Sequence, residues 1–577
     1  MRAALALLLV LPLLAGCVSD DDQAVQPNPE PQRAPDWAAR AIFLGADPAD
    51  TDGFPDHDHH NRTLHKGVST PNFEVVGHAA SDSAYYQGNA PGTGYCGDVS
   101  QHNGTSRQLA VSHSLLSDVG LSVYDVADRT APVLLGELVL PLAFTYDAAI
   151  FEDGRYAVIA ANPDAGLEQD PAVPPVPLTM SWRDACTGTE RPVGSNVDYT
   201  PYGYSAILVD LADPSNPTVA DFYEYPGGRN VHSISATTID GIRYVATSGL
   251  GAVPCTVPSV PGLPQPPPPV PPVAAPPCPN MVQVPRYGNL LSHYDFLTVE
   301  ETASAPDARL QARLVPFAVY TPSDQTHIDP SLLYLSNGHT DATLQKHPVT
   351  GQVIGYLADW DGGLHTIRLQ KAAAEVPDGL PGQAIPLGSW GAAPGDDPTQ
   401  NRGNIHSAKP IAGLRDGHHY TLTGQEVVGR PGGRPTGQIV LLDTTNPAVP
   451  YPKARWTLPI DVQWPGSLGL AFSTHYPILV EDTLFVAMYH GGVWAADASQ
   501  ENWPDLPSLG VFIPDADVVG TPAHASLAPE VLEVLDLGDG HLLVFDGDSG
   551  AYVVKFTGRH PDVPPAMAWD ETIGFIG

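Results

Sequence analysis

Ser205-Ala-Ile-Leu-Val-Asp-Leu-Ala-Asp-Pro-Ser-Asn-Pro217 reads as a short apolar strand that stops at an aspartate, followed by a polar turn closed by proline. Ile, Leu and Val favour extended backbone, whereas Asp, Asn and Pro punctuate it. The same grammar recurs along the chain. Gly120-Leu-Ser-Val-Tyr-Asp-Val126 leads through Asp128 and Pro132 to Leu134-Leu-Gly-Glu-Leu138. Gln438-Ile-Val-Leu-Leu-Asp443 leads through Asn446 and Pro447 to a strand over 454–459. Weaker copies are Gly363-Leu-His-Thr-Ile-Arg368, Gly492-Val-Trp-Ala-Ala-Asp497 and Gly550-Ala-Tyr-Val-Val-Lys-Phe556.

Working outward from these copies, a strand–turn–strand pair precedes each. Asp147–Phe151 with Tyr156–Ala160, Ser233–Thr237 with Tyr244–Thr247, and Pro477–Val480 with Leu484–Met488 are examples. The repeating unit is therefore four antiparallel strands, a propeller blade, and radial repetition leaves only short protected sheet edges. Third strands fall near positions 120, 205, 292, 363, 438, 492 and 550, which predicts an all-β, seven-bladed β-propeller, with six or eight blades as the alternatives. The third unit is interrupted by a proline-rich insertion over 252–290. A strand over 40–45 is expected to complete the last blade.

The motif Leu208-Val-Asp-Leu-Ala-Asp-Pro-Ser-Asn-Pro217 resembles the LVIVD repeat of exported bacterial and archaeal propellers. The resemblance covers nearly all of residues 70–560 and is sharp in two or three units. It implies a propeller fold and an exported location; the family has no defined biochemical role to pass on.

The N-terminus agrees with export. Arg2, a short apolar run and Leu14-Ala15-Gly16-Cys17 make a signal peptide over 1–16 whose ending resembles the lipobox of lipoproteins. That resemblance implies lipidation of Cys17 and anchoring to the outer face of the cell membrane or outer membrane. Residues 17–36, rich in Asp, Gln, Pro and Asn, are too polar to offset the entropy of folding and read as a tether. The propeller is expected over 37–577. Four further cysteines, Cys96, Cys186, Cys255 and Cys278, suit two disulfides in an oxidising compartment. Cys255 and Cys278 bracket the proline run and form one natural pair, leaving Cys96 with Cys186.

Acidic residues outnumber basic ones 64 to 27, for a net charge of −37 at pH 7. Such a surface repels nucleic acid and anionic headgroups, favours cations and stays soluble in salt as a monomer. No phosphate-binding glycine loop, dinucleotide fingerprint or Gly-x-Ser-x-Gly elbow is present.

The candidate chemistry lies in histidines that recur near the start of a blade's first strand: His232, His339, His406 and His475, spaced 107, 67 and 69 residues apart. First strands of a propeller line its central channel, so these four imidazoles are expected to gather at one mouth. Neutral imidazole binds iron, copper or zinc well. The geometry is similar to the four-histidine iron site of carotenoid-cleaving oxygenases and to the histidine-rich site of methanethiol oxidases of the selenium-binding type, without sequence identity to either. The competing reading is that each histidine hydrogen-bonds a neighbouring blade's backbone. Tyr146 and Glu530 occupy the corresponding positions of two other blades.

Asp359 and Asp361, Asp546 and Asp548, and His490 fall in turns between second and third strands, where Asp and Gly are what tight turns demand. His57-Asp58-His59-His60 with His65 is a second, local metal candidate. Asn61-Arg-Thr63 and Asn103-Gly-Thr105 match the N-glycosylation acceptor. Two functions compete. One is a surface scaffold whose loops over 81–106, 163–203 and 252–290 grip a protein, peptide or glycan. The other is a metal-dependent oxidoreductase or oxygenase-like enzyme using the four histidines.

Overall fold

The computed structural model describes residues 69–79, 100–103, 108–113, 119–140, 143–163, 181–183, 190–192, 205–225, 231–252, 290–303, 310–320, 341–359, 362–372, 380–391, 405–426, 437–458, 474–488, 491–514, 531–546 and 550–559. They form seven antiparallel four-stranded sheets, the blades of a β-propeller, and one small two-stranded pair. The only helical element among the described residues is a single 3-10 turn, Gln500–Asn502.

From the axis outward, blade 1 is Ser100–Asn103, Gln108–Ser112, Val119–Asp125 and Val133–Val139. Blade 2 is Ala143–Ile150, Tyr156–Pro163, Ser205–Asp210 and Thr218–Glu224. Blade 3 is Ser233–Ile239, Ile242–Ala252, Leu290–Ala303 and Leu310–Tyr320. Blade 4 is Ala342–Lys346, Val353–Asp359, Gly363–Lys371 and Gly382–Trp390. Blade 5 is Ile405–Pro410, Tyr420–Gln425, Gln438–Asp443 and Tyr451–Thr457. Blade 6 is Pro477–Val480, Thr483–Ala487, Val493–Asp497 and Ser508–Phe512. Blade 7 is Val531–Gly538, His541–Asp546, Gly550–Phe556 and, as its outer strand, Phe73–Ala79. All seven third strands stand where the repeats put them.

Ring closure differs from expectation. Phe73–Ala79, not a segment over 40–45, completes blade 7 by pairing antiparallel with Gly550–Phe556. Its sequence, Phe-Glu-Val-Val-Gly-His-Ala, reads as a strand, but nothing local names a partner nearly 480 residues away. Residues 40–45 lie outside the described residues.

The core is divided among the seams between blades. Seven apolar clusters occupy the seven junctions, from blades 1 and 2 round to blades 7 and 1. A third strand therefore buries both faces, which explains the apolar run Ala206–Val209 between Ser205 and Asp210. In Ser205–Asp210, Ile207 and Val209 face the cluster shared with blade 1, while Ala206 and Leu208 face the one shared with blade 3.

The aspartate that ends four of the seven third strands acts locally. Asp125, Asp210, Asp443 and Asp497 each accept from the backbone N–H two residues on, at 2.7–3.0 Å. The second Asp or Asn of the motif repeats the trick: Asp128 accepts from Thr130, Asp213 from Ser215 and Asn446 from Ala448. Two such turns in succession reverse the chain into the outer strand. In all seven blades that outer strand then bulges by one residue: Leu135, Ala220, Phe317, Leu387, Lys453, Leu509 and Val76. The residue after the bulge meets the next blade's turn. A Cβ on Gly136 would stand 2.7 Å from the Ser215 backbone, and one on Gly388 2.2 Å from the Ala448 carbonyl. The motif thus turns its own blade and docks the neighbour.

At the axis each inner strand touches the inner strands on both sides, closing the ring. Side chains stitch the circle. Asp147 of blade 2 accepts from Ile234 N–H of blade 3 at 2.7 Å. Ser235 donates to Ala342 O of blade 4 at 2.6 Å, and Asp341 accepts from Ala408 N–H of blade 5 at 3.3 Å. Ser407 donates to His475 O of blade 6 at 3.1 Å.

Candidate functional site

The stitching sets a common register for the inner strands. Asp147 and Asp341 each reach one blade onward to the residue after Ser233 and Ser407 respectively. Tyr146, His232 and His406, which precede Asp147, Ser233 and Ser407, are therefore equivalent positions. In blades 2 and 5 this position is a bulge: Tyr146 and His406 have no opposite partner in the ladder. A bulge turns its side chain out of the sheet's alternation, and here both rings lie against His232 of blade 3.

Three of the four expected histidines come together. The His406 and His475 rings lie 4.3 Å apart, and His232 lies 5.5 Å from His406. Two imidazoles on one ion, with metal–nitrogen bonds of about 2.1 Å, have ring centroids roughly 5 Å apart, so these spacings suit a shared ion. His339 lies outside the described residues. In the sequence, Thr340 and not His339 precedes Asp341 as Tyr146 precedes Asp147, so the repeat register gives His339 no support.

Two groups that the spacing argument did not raise join the cluster. Glu426, just past the second strand of blade 5, brings Oε2 to 3.7 Å from His406 Nε2. Donor atoms of His406, Glu426 and His475 all lie within 4.8 Å of one another. Tyr476 packs its ring 4.4 Å from His475 and 5.4 Å from His406. Lys409 Nζ sits 4.0 Å above the Tyr476 ring and 3.3 Å from Asp341 Oδ2. A bare Glu at a strand end carries no signal of its own; adjacency to a repeat histidine could have drawn attention to Tyr476.

His475 Nδ1 lies 2.7 Å from Leu532 O of blade 7. A carbonyl only accepts, so Nδ1 carries the proton and Nε2 keeps the lone pair. This bond is the backbone stitch of the competing reading, and it is equally the orienting bond that metal-bound histidines use. His113 makes a similar stitch from blade 1, Nδ1 to Thr145 O at 2.8 Å, and its burial pushes its pKa down to about 3.

Of the remaining candidates, Tyr146 packs its ring 5.4 Å from that of His232, tilted by 38°. Asp359 is buried and accepts from Gly362 N–H at 3.1 Å, as a turn aspartate does, with His365 Nε2 3.9 Å from its other oxygen. Asp546 is buried opposite Gly550 at the end of its hairpin. Glu530, Asp361, Asp548, His490, His57, His59, His60, His65, Cys17, Cys96, Cys186, Cys255 and Cys278 lie outside the described residues.

No protein-family model matches the chain, and no curated protein matches it. Among solved structures it is similar to the β-propeller domain of Cps50 (Swd1) from Myceliophteria thermophila, at 9% identity over 84% of this chain and 100% of that one, with a TM-score of 0.40. It is also similar to Sqt1 from Saccharomyces cerevisiae, at 10% identity over 80% of this chain and 96% of that one, with a TM-score of 0.37.

Proposed function

We propose that this protein is a lipid-anchored binding scaffold of the cell surface whose propeller channel carries a transition-metal centre at one mouth. The observation that supports the centre is the meeting of His232, His406 and His475, drawn from blades 3, 5 and 6, with ring spacings of 5.5 and 4.3 Å. Imidazoles held on a closed ring of sheets lose little entropy on binding an ion, and a stitched inner circle cannot easily splay to release it. Iron, copper and zinc are the ions such a set takes. The anchor would be the lipid on Cys17, with the acidic tether over 17–36 holding the propeller clear of the headgroups.

The scaffold's recognition elements would be the long insertions between strands, above all the proline-rich segment over 252–290, offered to a surface protein, peptide or glycan. Elemental analysis of the protein purified from its native compartment tests the centre. One equivalent of iron, copper or zinc that disappears in the His406→Ala, His475→Ala double variant supports it. A metal-free wild type that also fails to take up ion on incubation would end it.

A further inference from the structure

We propose that Glu426 is the third protein ligand of the channel-mouth ion and that it sets the ion's class: a divalent, borderline-to-hard cation such as Fe(II), Co(II) or Zn(II) rather than Cu(I). The inference rests on the metal reading above and narrows it.

Glu426 follows directly on the strand Tyr420–Gln425, whose last residue pairs with Ile405. His406 is the bulged residue next to that pair. Blade 5 thus delivers a carboxylate and an imidazole side by side, and blade 6 supplies His475 across the seam. The three side chains are 5%, 2% and 9% exposed, respectively. A buried carboxylate and two imidazoles set side by side form a donor set that a divalent ion satisfies.

Their donor atoms, within 4.8 Å of one another, need to close by roughly 1 Å to reach the ~3.0–3.4 Å separations of ligands on one ion. His232 does not join this mutually close set. Its ring is half-buried, 5.4 Å from the Tyr146 ring and 5.5 Å from the His406 ring. The ion therefore belongs to the blade 5–6 seam.

The ligand atoms decide the metal. Two imidazole nitrogens and a carboxylate oxygen suit borderline and hard divalent ions; Cu(I) prefers sulfur. Met488, the one described methionine, is buried in the apolar cluster between blades 5 and 6 with Trp456 and Trp494. A histidine-only set of His232, His406 and His475 would show no such bias.

The test loads the full chain with Co(II), Zn(II) or Cu(I) and compares wild type with Glu426→Gln and His232→Ala. Co(II) is read by its visible d–d absorption and the other ions by chelator competition. We expect wild type to bind one Co(II). Glu426→Gln should weaken Co(II) and Zn(II) by about tenfold or more and leave Cu(I) unchanged. His232→Ala should keep Co(II). If Glu426→Gln fails to fold, Glu426→Asp, which keeps the charge at a shorter reach, should show an intermediate loss of Co(II). Wild-type Co(II) affinity in Glu426→Gln, or loss of the band in His232→Ala, overturns the role of Glu426 while the metal reading stands. A wild type without any d–d band and without Zn(II) uptake removes both, and is told apart by failing before any substitution is made.

Discussion

Acidification should loosen the propeller well before its carboxylates titrate, because two of its structural histidines are buried in neutral form. His419 sits in the seam between blades 4 and 5. Its Nε2–H donates to Gln345 Oε1 at 2.8 Å and Ile411 O at 3.1 Å, and its Nδ1 accepts from Thr444 Oγ1 at 2.9 Å. Burial above all, with the neighbouring His347, pushes its pKa down to about 4. His113 is pushed down to about 3 by burial, against the opposing pull of its bond to the Thr145 carbonyl.

In the unfolded chain both titrate near 6.5. Each contribution is therefore complete above about pH 6.5 and is lost as pH falls, since the unfolded state takes the proton first. For His419 the loss levels off below about pH 4, and for His113 below about pH 3. At pH 5 each group has given up about 2 kcal/mol relative to pH 8, or about 4 kcal/mol together, a large share of a typical domain's stability. Urea unfolding at pH 8, 7, 6 and 5 measures this directly. His419→Gln keeps hydrogen-bonding groups at the seam but cannot titrate. It should remove about 2 kcal/mol of the pH 8-to-5 difference. Equal stability at pH 8 and pH 5, or an unaltered pH slope in His419→Gln, would refute the assignment.

Other consequences follow from the seams and turns. Trp456→Ala empties the cluster between blades 5 and 6 and strands Ser508 Oγ, which accepts from the indole N–H at 3.0 Å. It should cost about 3–5 kcal/mol in denaturant unfolding. Gly388→Val pushes a side chain into the Ala448 carbonyl of blade 5 and should cost about 1–3 kcal/mol, whereas the same change at Gly351, which has open space around it but a φ of +68°, strains only its own turn. Cys17→Ser should move the protein from the membrane fraction to the soluble exported fraction, seen by fractionation and blotting. A membrane-bound variant would remove the lipid-anchor proposal.

The blades were readable because their signals are local or periodic. A third strand buried on both faces is mostly apolar, and in the sharpest copies the chain reverses after it through Asp, Asn and Pro at fixed offsets. Ile207, Val209, Asp210, Asp213 and Pro217 carry all of this within a dozen residues. The spacing of the repeat drew attention to His232, His406 and His475, whose rings lie close together, and to His339, which lies outside the described residues.

What the chain could not announce is distance in space. Phe73–Ala79 looks like any strand, and only the closing of the ring makes Gly550–Phe556 its partner. Glu426 became part of the cluster because blade 5 sets it beside His406 and blade 6 lays His475 against both. Such a set depends on how sheets are rotated about an axis, and no local propensity or spacing encodes that rotation. The amino-acid order therefore determined the repeating unit and its turns; the packing of one blade on the next decided which side chains share the mouth of the channel.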